Sequence, residues 1–225
     1  MKEKVLFVVT SHGELGDSGR KTGYFLSEVT HPWSVLGDFY DIDVVSTKGG
    51  RPPVDGFDLK DPINQKFWDN PVWQDKMSTT LTPDKVNPND YVAIFYAGGH
   101  GAMWDFPNNK ELAAIASKIY ENGGFVSAVC HGPAGLINIL LPDGTNLVKG
   151  KKLDCFTNAE EDLNGTSKYV PFMLQSALEE KGCIFDSGVP WSDHVVVDGR
   201  LITGQNPMSA LDLGKTLLKA LQDKQ

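Results

Sequence analysis

Four runs of strand length recur along the chain: residues 5–10, Asp41–Ser46, Tyr91–Tyr96 and Phe125–Val129. Three of them are almost continuously apolar, which leaves no face suited to water and calls for cover on both sides. Between the runs lie stretches with helical spacing, and strands that alternate with helices form a parallel sheet wrapped on both faces. The expected fold is therefore α/β, a doubly wound, mostly parallel sheet with helices on both faces. Toward the C-terminus a helix is expected over residues 170–181, stopped by Gly182, then strands over 183–186, 194–197 and 201–203 and a closing helix over 207–221. The last two strands are joined through Asp198-Gly199. At 225 residues the chain has the size of one such domain, residues 1–225.

The first helix is expected to start near Thr22 or Gly23 and to carry Phe25, Leu26 and Val29 inward, with Pro32 ending or kinking it and a short second helix over 33–36. At helical spacing Glu28 lies about 60° from Phe25, on the rim of the apolar face. A carboxylate there has a raised pKa or is a surface glutamate with a buried stem. Residues 108–120 read as an amphipathic helix, and 136–141 as a helix apolar on nearly all sides. The Pro-, Asp- and Asn-rich stretch 47–89 is too long for an ordinary connection and reads as an ordered, lid-like insertion with short helices over 61–69 and Pro71–Ser78.

A net charge of −8 with scattered lysines and arginines excludes an electrostatic footprint for nucleic acid or an anionic membrane. Three cysteines do not form a disulfide framework and fit a reducing compartment. The apolar start of the chain is too short for a signal peptide and reads as the first strand, so a cytoplasmic location is expected.

The chemistry concentrates at the end of the fourth run. Cys130 sits where the strand Phe125–Val129 meets a Gly132-Pro133 helix opening, between small residues. A thiol on such a strand-to-helix elbow is lifted clear of the sheet and meets free N–H groups that favour a thiolate. His131 follows directly, although consecutive side chains at an elbow diverge. A histidine in that role needs an orienting carboxylate. Glu160 and Glu161, expected in a loop, are candidates, and two solvated carboxylates are the plainer reading. Gly98, Gly99, His100 and Gly101 end the third strand, where glycine N–H groups can face a developing oxyanion. No spacing of His, Cys and acidic residues reads as a zinc site, and no metal or other cofactor is expected. Cys155 and Cys183 lie in strand-like contexts and read as structural.

Four stretches in order resemble the ThiJ/PfpI superfamily, in its branch of heat-shock chaperones and glutathione-independent glyoxalases of type III. They are Lys21-Thr-Gly-Tyr-Phe-Leu-Ser-Glu-Val-Thr-His-Pro32, Ala97-Gly-Gly-His-Gly-Ala102, Ala128-Val-Cys-His-Gly-Pro133, and the tail that includes Pro190-Trp-Ser-Asp-His194 and Asp198-Gly-Arg-Leu-Ile-Thr-Gly-Gln-Asn-Pro207. The resemblance implies a flavodoxin-like sandwich with Cys130 as nucleophile, Glu28 as the helix glutamate that holds and protonates it, and His131 as its partner. It places the triad acid in Phe156-Thr-Asn-Ala-Glu-Glu161, at Glu161 with Glu160 as the neighbouring alternative. It places the oxyanion site at Gly99 and the His131 N–H. It further implies a homodimer that converts small 2-oxoaldehydes such as methylglyoxal to 2-hydroxy acids, with glycated or unfolded proteins as further partners. An amidase or peptidase on the same elbow, and a chaperone or cysteine redox sensor without catalysis, are the alternative readings.

Overall fold

A computed structural model of the chain describes residues 2–224. In chain order the elements are β1 (Lys4–Val9), the two-residue β2 (Tyr24–Phe25), α1 (Leu26–Leu36), β3 (Asp41–Ser46), β4 (Val54–Asp55), α2 (Pro62–Trp68) and α3 (Pro71–Ser78). There follow β5 (Tyr91–Tyr96), α4 (Ala102–Asp105), α5 (Lys110–Glu121), β6 (Phe125–Val129), β7 (Lys152–Leu153), α6 (Asn158–Leu163) and α7 (Leu174–Glu180). The chain closes with β8 (Ile184–Phe185), β9 (Val195–Asp198), β10 (Leu201–Gly204) and α8 (Ala210–Asp223). The main sheet runs β3-β1-β5-β6-β10-β9, parallel except for β9 at one edge, which pairs antiparallel with β10. Leu201 pairs with Asp198, so the hairpin turn is Gly199-Arg200, one residue later than expected.

Alternation along the buried strands sorts their side chains into two cores. Leu6, Val8, Ile94, Tyr96, Val126 and Ala128 point to one face and pack with Leu112, Ile115, Ala116 and Ile119 of α5. Val5, Phe7, Val9, Phe95, Phe125 and Val129 point to the other and pack with Leu26, Val29 and Leu36 of α1 and Leu213, Leu217 and Leu221 of α8. Burial on both faces is what the nearly continuous apolar strands demanded.

Several local expectations change. The first helix begins at Leu26, because Tyr24 and Phe25 are drawn into a short parallel pairing with Val54 and Asp55. Pro32 lies inside α1 without ending it. A proline interior to a helix removes one N–H from the ladder, and here the loss is offset by packing: a Cβ on Gly214 of α8 would lie 2.9 Å from the Pro32 Cα, so the absent side chain lets the two helices touch. Residues 136–141 form no helix. Gly132–Leu136 is a 3₁₀ turn, Leu147 N–H then bonds the Ile139 carbonyl, and Leu140 is exposed. The helix expected over 170–181 is shorter, Leu174–Glu180, and the strand-like stretch before Cys155 contributes only Lys152–Leu153, paired with β8.

The 47–89 segment is tied down at its middle and toward its C-terminal end. Leu81 exchanges backbone hydrogen bonds with Val44 and Ser46 at the β3 edge, and Phe67 and Trp73 pack on Trp33 of α1 at ring distances of 5.1 and 5.7 Å. Asp61 and Asn70 cap α2 and α3 with their side chains, and proline follows each of them in the first helical turn.

Candidate active site

The site lies at the C-terminal end of the parallel strands, where open α/β sheets bind ligands. Cys130 follows β6 directly and has φ 59°, a left-handed conformation rare for a residue with a side chain. Two backbone bonds hold it there: Cys130 N–H donates to the Gly204 carbonyl, and Phe156 N–H donates to the Cys130 carbonyl, both at 2.8 Å. The second bond also brings the chain leading into α6 against the elbow. Cys130 is 3 % exposed.

That approach delivers Glu161. Its Oε2 lies 2.7 Å from His131 Nε2, and its Oε1 lies 2.9 Å from His100 Nε2 and also accepts the Thr166 hydroxyl. Glu160 and Glu161 are not loop carboxylates. Thr157 and Glu160 form a reciprocal capping box that starts α6, and both glutamates are buried. With Glu160 committed to the cap, Glu161 is the carboxylate that meets His131. The elbow side chains do not diverge as expected either: Cys130 Sγ lies 3.4 Å from His131 Nδ1. Burial would raise the Glu161 pKa, but the charge and hydrogen bonds of the two imidazoles hold it well below the usual carboxylate range. Burial, followed by the nearby His100, lowers the His131 pKa against the opposing pull of Glu161. A neutral His131 beside an ionised Glu161 carries its proton on Nε2, which leaves Nδ1 as an acceptor facing the thiol.

The opposite wall is Glu28, which is fully buried rather than at a rim. Its Oε2 accepts the Gly98 N–H at 2.7 Å, while Oε1 is buried and accepts no N–H or O–H. The Cys130 thiol is the group facing that carboxyl, close enough for each to perturb the other's acidity. Burial pushes the Glu28 pKa up to about 8, against smaller lowering effects of Cys130 and Gly98. Burial raises the Cys130 thiol, Glu28 raises it further, and a backbone bond from Gly99 lowers it. At neutral pH Glu28 is mainly the neutral acid, so it offers a proton to the sulfur rather than a repelling charge.

The glycines take separate roles. The Gly98 amide, expected to face an oxyanion, donates to Glu28 Oε2. Gly99 has φ 99°, and a Cβ there would lie 2.1 Å from the Gly23 carbonyl oxygen, so only glycine lets this strand end come so close to β2 and the residue before it. Its amide faces the sulfur.

His100 was not singled out from sequence, yet its ring lies 4.1 Å from that of His131 and it shares Glu161. The available signal was its place in the glycine-rich end of a strand adjacent to the one carrying Cys130. His100, His131 and Glu161 have donor atoms within 4.8 Å of one another, a two-histidine, one-carboxylate set of the kind that can hold a transition metal. In this arrangement both Nε2 atoms face the carboxylate, which suits orientation of an imidazole. Among the described residues no helix is long and apolar enough to cross a membrane.

Comparison with known proteins places this geometry among relatives. The model of the DJ-1/PfpI family matches residues 22–220. Glyoxalase 3 of Candida albicans is 34 % identical, covering 97 % of this chain and 98 % of that protein. The glutathione-independent glyoxalase HSP31 of Saccharomyces cerevisiae is 35 % identical, covering 98 % and 99 %. Among solved structures, the Francisella tularensis rapid encystment protein of 24 kDa superimposes with a TM-score of 0.94 at 40 % identity, covering 97 % of this chain and 99 % of that one. Candida albicans glyoxalase III superimposes at 0.86 and 32 % identity, covering 97 % of each. Matched over most of its length in sequence and in fold, the chain belongs to the DJ-1/PfpI family.

Proposed function

We propose that the protein is a glutathione-independent glyoxalase that uses Cys130 to convert 2-oxoaldehydes such as methylglyoxal to 2-hydroxy acids. The observation that carries this reading is the relay Cys130 Sγ–His131 Nδ1 and His131 Nε2–Glu161, with the protonatable Glu28 on the other side of the sulfur. The names of the Candida and Saccharomyces relatives support the substrate class.

His131 Nδ1 takes the thiol proton as the sulfur attacks the aldehyde carbon, forming the C–S bond of a hemithioacetal. The alkoxide is stabilised as it forms by backbone N–H groups at Gly99 and His131, and the protonated His131 passes the thiol's proton on to it. His131, neutral again, removes the proton from the former aldehyde carbon while Glu28 donates its proton to the ketone oxygen, giving an enediol. The protonated His131 then delivers its proton to the neighbouring carbon as the Glu28 carboxylate takes the hydroxyl proton from the sulfur-bearing carbon, whose oxygen becomes the thioester carbonyl. The result is a thioester of the 2-hydroxy acid, which water cleaves, releasing lactate from methylglyoxal and restoring the thiol. The sum is methylglyoxal plus water to lactate, with no oxidant or reductant. Glu161 stabilises the imidazolium formed in each transfer. The 3 % exposure of Cys130 favours a small substrate over an adduct carried on a protein surface.

The test is glutathione-free conversion of methylglyoxal, followed as substrate loss and lactate formed, by wild type and Cys130→Ala. Lactate from wild type and none above background from the variant is expected. Equal rates from the two would overturn the reading.

A further inference from the structure

The carboxylate next to Glu161 is buried just as deeply, and the relay leaves it unused. Five donors converge on Glu160. Thr157 N–H and the Thr157 hydroxyl reach Oε2, both at 2.9 Å. Trp191 N–H at 2.8 Å, Gln205 Nε2 at 3.0 Å and Asn206 Nδ2 at 2.8 Å reach Oε1. The donors come from three segments: the start of α6, the turn before β9 and the turn after β10. A helix cap needs only the first two.

The backbone that Glu160 holds at Trp191 is unusual. Trp191 has φ 64°, a conformation that a bulky residue adopts only when its surroundings impose it. Ser192 N–H to the Val189 carbonyl at 3.1 Å and Asn206 Nδ2 to the Ser192 carbonyl at 2.8 Å close the same turn. The conformation lays the indole edge-on against Phe156, with ring centroids 5.4 Å apart, and Phe156 in turn lies 4.5 Å from the His131 ring. Exposure falls along this stack from 42 % at Trp191 to 3 % at Phe156 and 1 % at His131. The indole therefore stands between the imidazole side of the site and water.

We propose that Glu160 is a positioning residue and Trp191 a specificity-determining one. Glu160 holds the Trp191 backbone in its left-handed form, and the indole caps the Phe156–His131 stack as the outer wall of the thiol pocket. The wall admits carbonyl compounds with small substituents and excludes bulky ones. The substrate class rests on the glyoxalase reading above; the wall itself rests only on the packing.

The test uses two readouts. Alkylation of Cys130, located by peptide mass spectrometry, is timed with iodoacetamide and with the bulkier N-phenylmaleimide, which requires no turnover. In parallel, kcat/KM is measured for phenylglyoxal and methylglyoxal. Trp191→Gly suits the observed φ and removes the wall, so both bulky-to-small ratios should rise about tenfold, the catalytic one mainly through a lower KM for phenylglyoxal. Glu160→Gln keeps the shape but has one acceptor oxygen in place of two, and should move both ratios the same way by less. Unchanged ratios in Trp191→Gly, or equal acceleration of both alkylating reagents, would overturn the wall. Alkylation that shifts as expected in a protein that turns over neither aldehyde would leave the wall standing and sink the glyoxalase reading. If Glu160→Gln fails to fold, Trp191→Gly and Trp191→Phe still decide the role of Trp191, with the smaller ring expected to give an intermediate ratio.

Discussion

Two buried carboxyls flank Cys130 and His131, one neutral and one ionised. Glu28, on α1, receives one backbone N–H on one oxygen and none on the other. Glu161, on α6, receives His131, His100 and Thr166. Both lose water almost completely, with exposures of 0 % and 2 %. What separates them is the supply of donors. A desolvated carboxyl with few donors keeps its proton, and one surrounded by imidazoles and a hydroxyl gives it up. The same residue type thus provides an acid on one side of the thiol and an anion on the other.

Amide substitution on each side is the sharpest way to break this comparison. Glu161→Gln should have the largest effect, lowering kcat/KM for methylglyoxal by about 10³-fold, because an amide neither fixes the His131 tautomer nor compensates its charge. Glu28→Gln should lower it by about 10²-fold, the usual scale for loss of one positioned proton donor. His100→Asn should give the smallest loss of the three, since His131 and Thr166 remain on Glu161. Steady-state kinetics on the three variants settles the order, and a Glu28→Gln loss larger than that of Glu161→Gln would contradict it.

Stability against pH sharpens the comparison without turnover. Glu28 moves from an ordinary 4.5 in the unfolded chain to about 8 in the fold. Its contribution is fully present below pH 4.5 and is lost as pH rises toward 8, on the order of a few kcal/mol in total. Denaturant titrations between pH 5 and 9 should therefore show a falling slope in wild type that flattens in Glu28→Gln. Glu161 has the opposite sign. Its contribution is present above its unfolded value and is lost as pH falls below it, so Glu161→Gln should flatten the acid limb instead.

Much of this was legible in the sequence because it depends on local patterns. The buried strands showed as apolar runs, and Cys130 showed as a thiol between small residues at a strand end. The parts that were hidden depend on tertiary approach. Helical spacing placed Glu28 at a rim, but the Gly98 strand end closes over its carboxyl. The Glu160–Glu161 ambiguity had a local answer in the Thr157-x-x-Glu160 capping pattern, which starts a helix and leaves the next glutamate to face inward. Pro32 looked like a helix end because its compensation sits on α8, far away in sequence.

The central claim, that Cys130 carries the substrate covalently between these two carboxyls, is tested most directly by acid-quenching a single turnover of methylglyoxal and mapping the peptides by mass spectrometry. The expected result is a 2-hydroxyacyl thioester on the Cys130 peptide that forms and decays with lactate release, with Cys155 and Cys183 unmodified. Lactate released at the same rate with no adduct on Cys130, or with the adduct on Cys155 or Cys183, would contradict it.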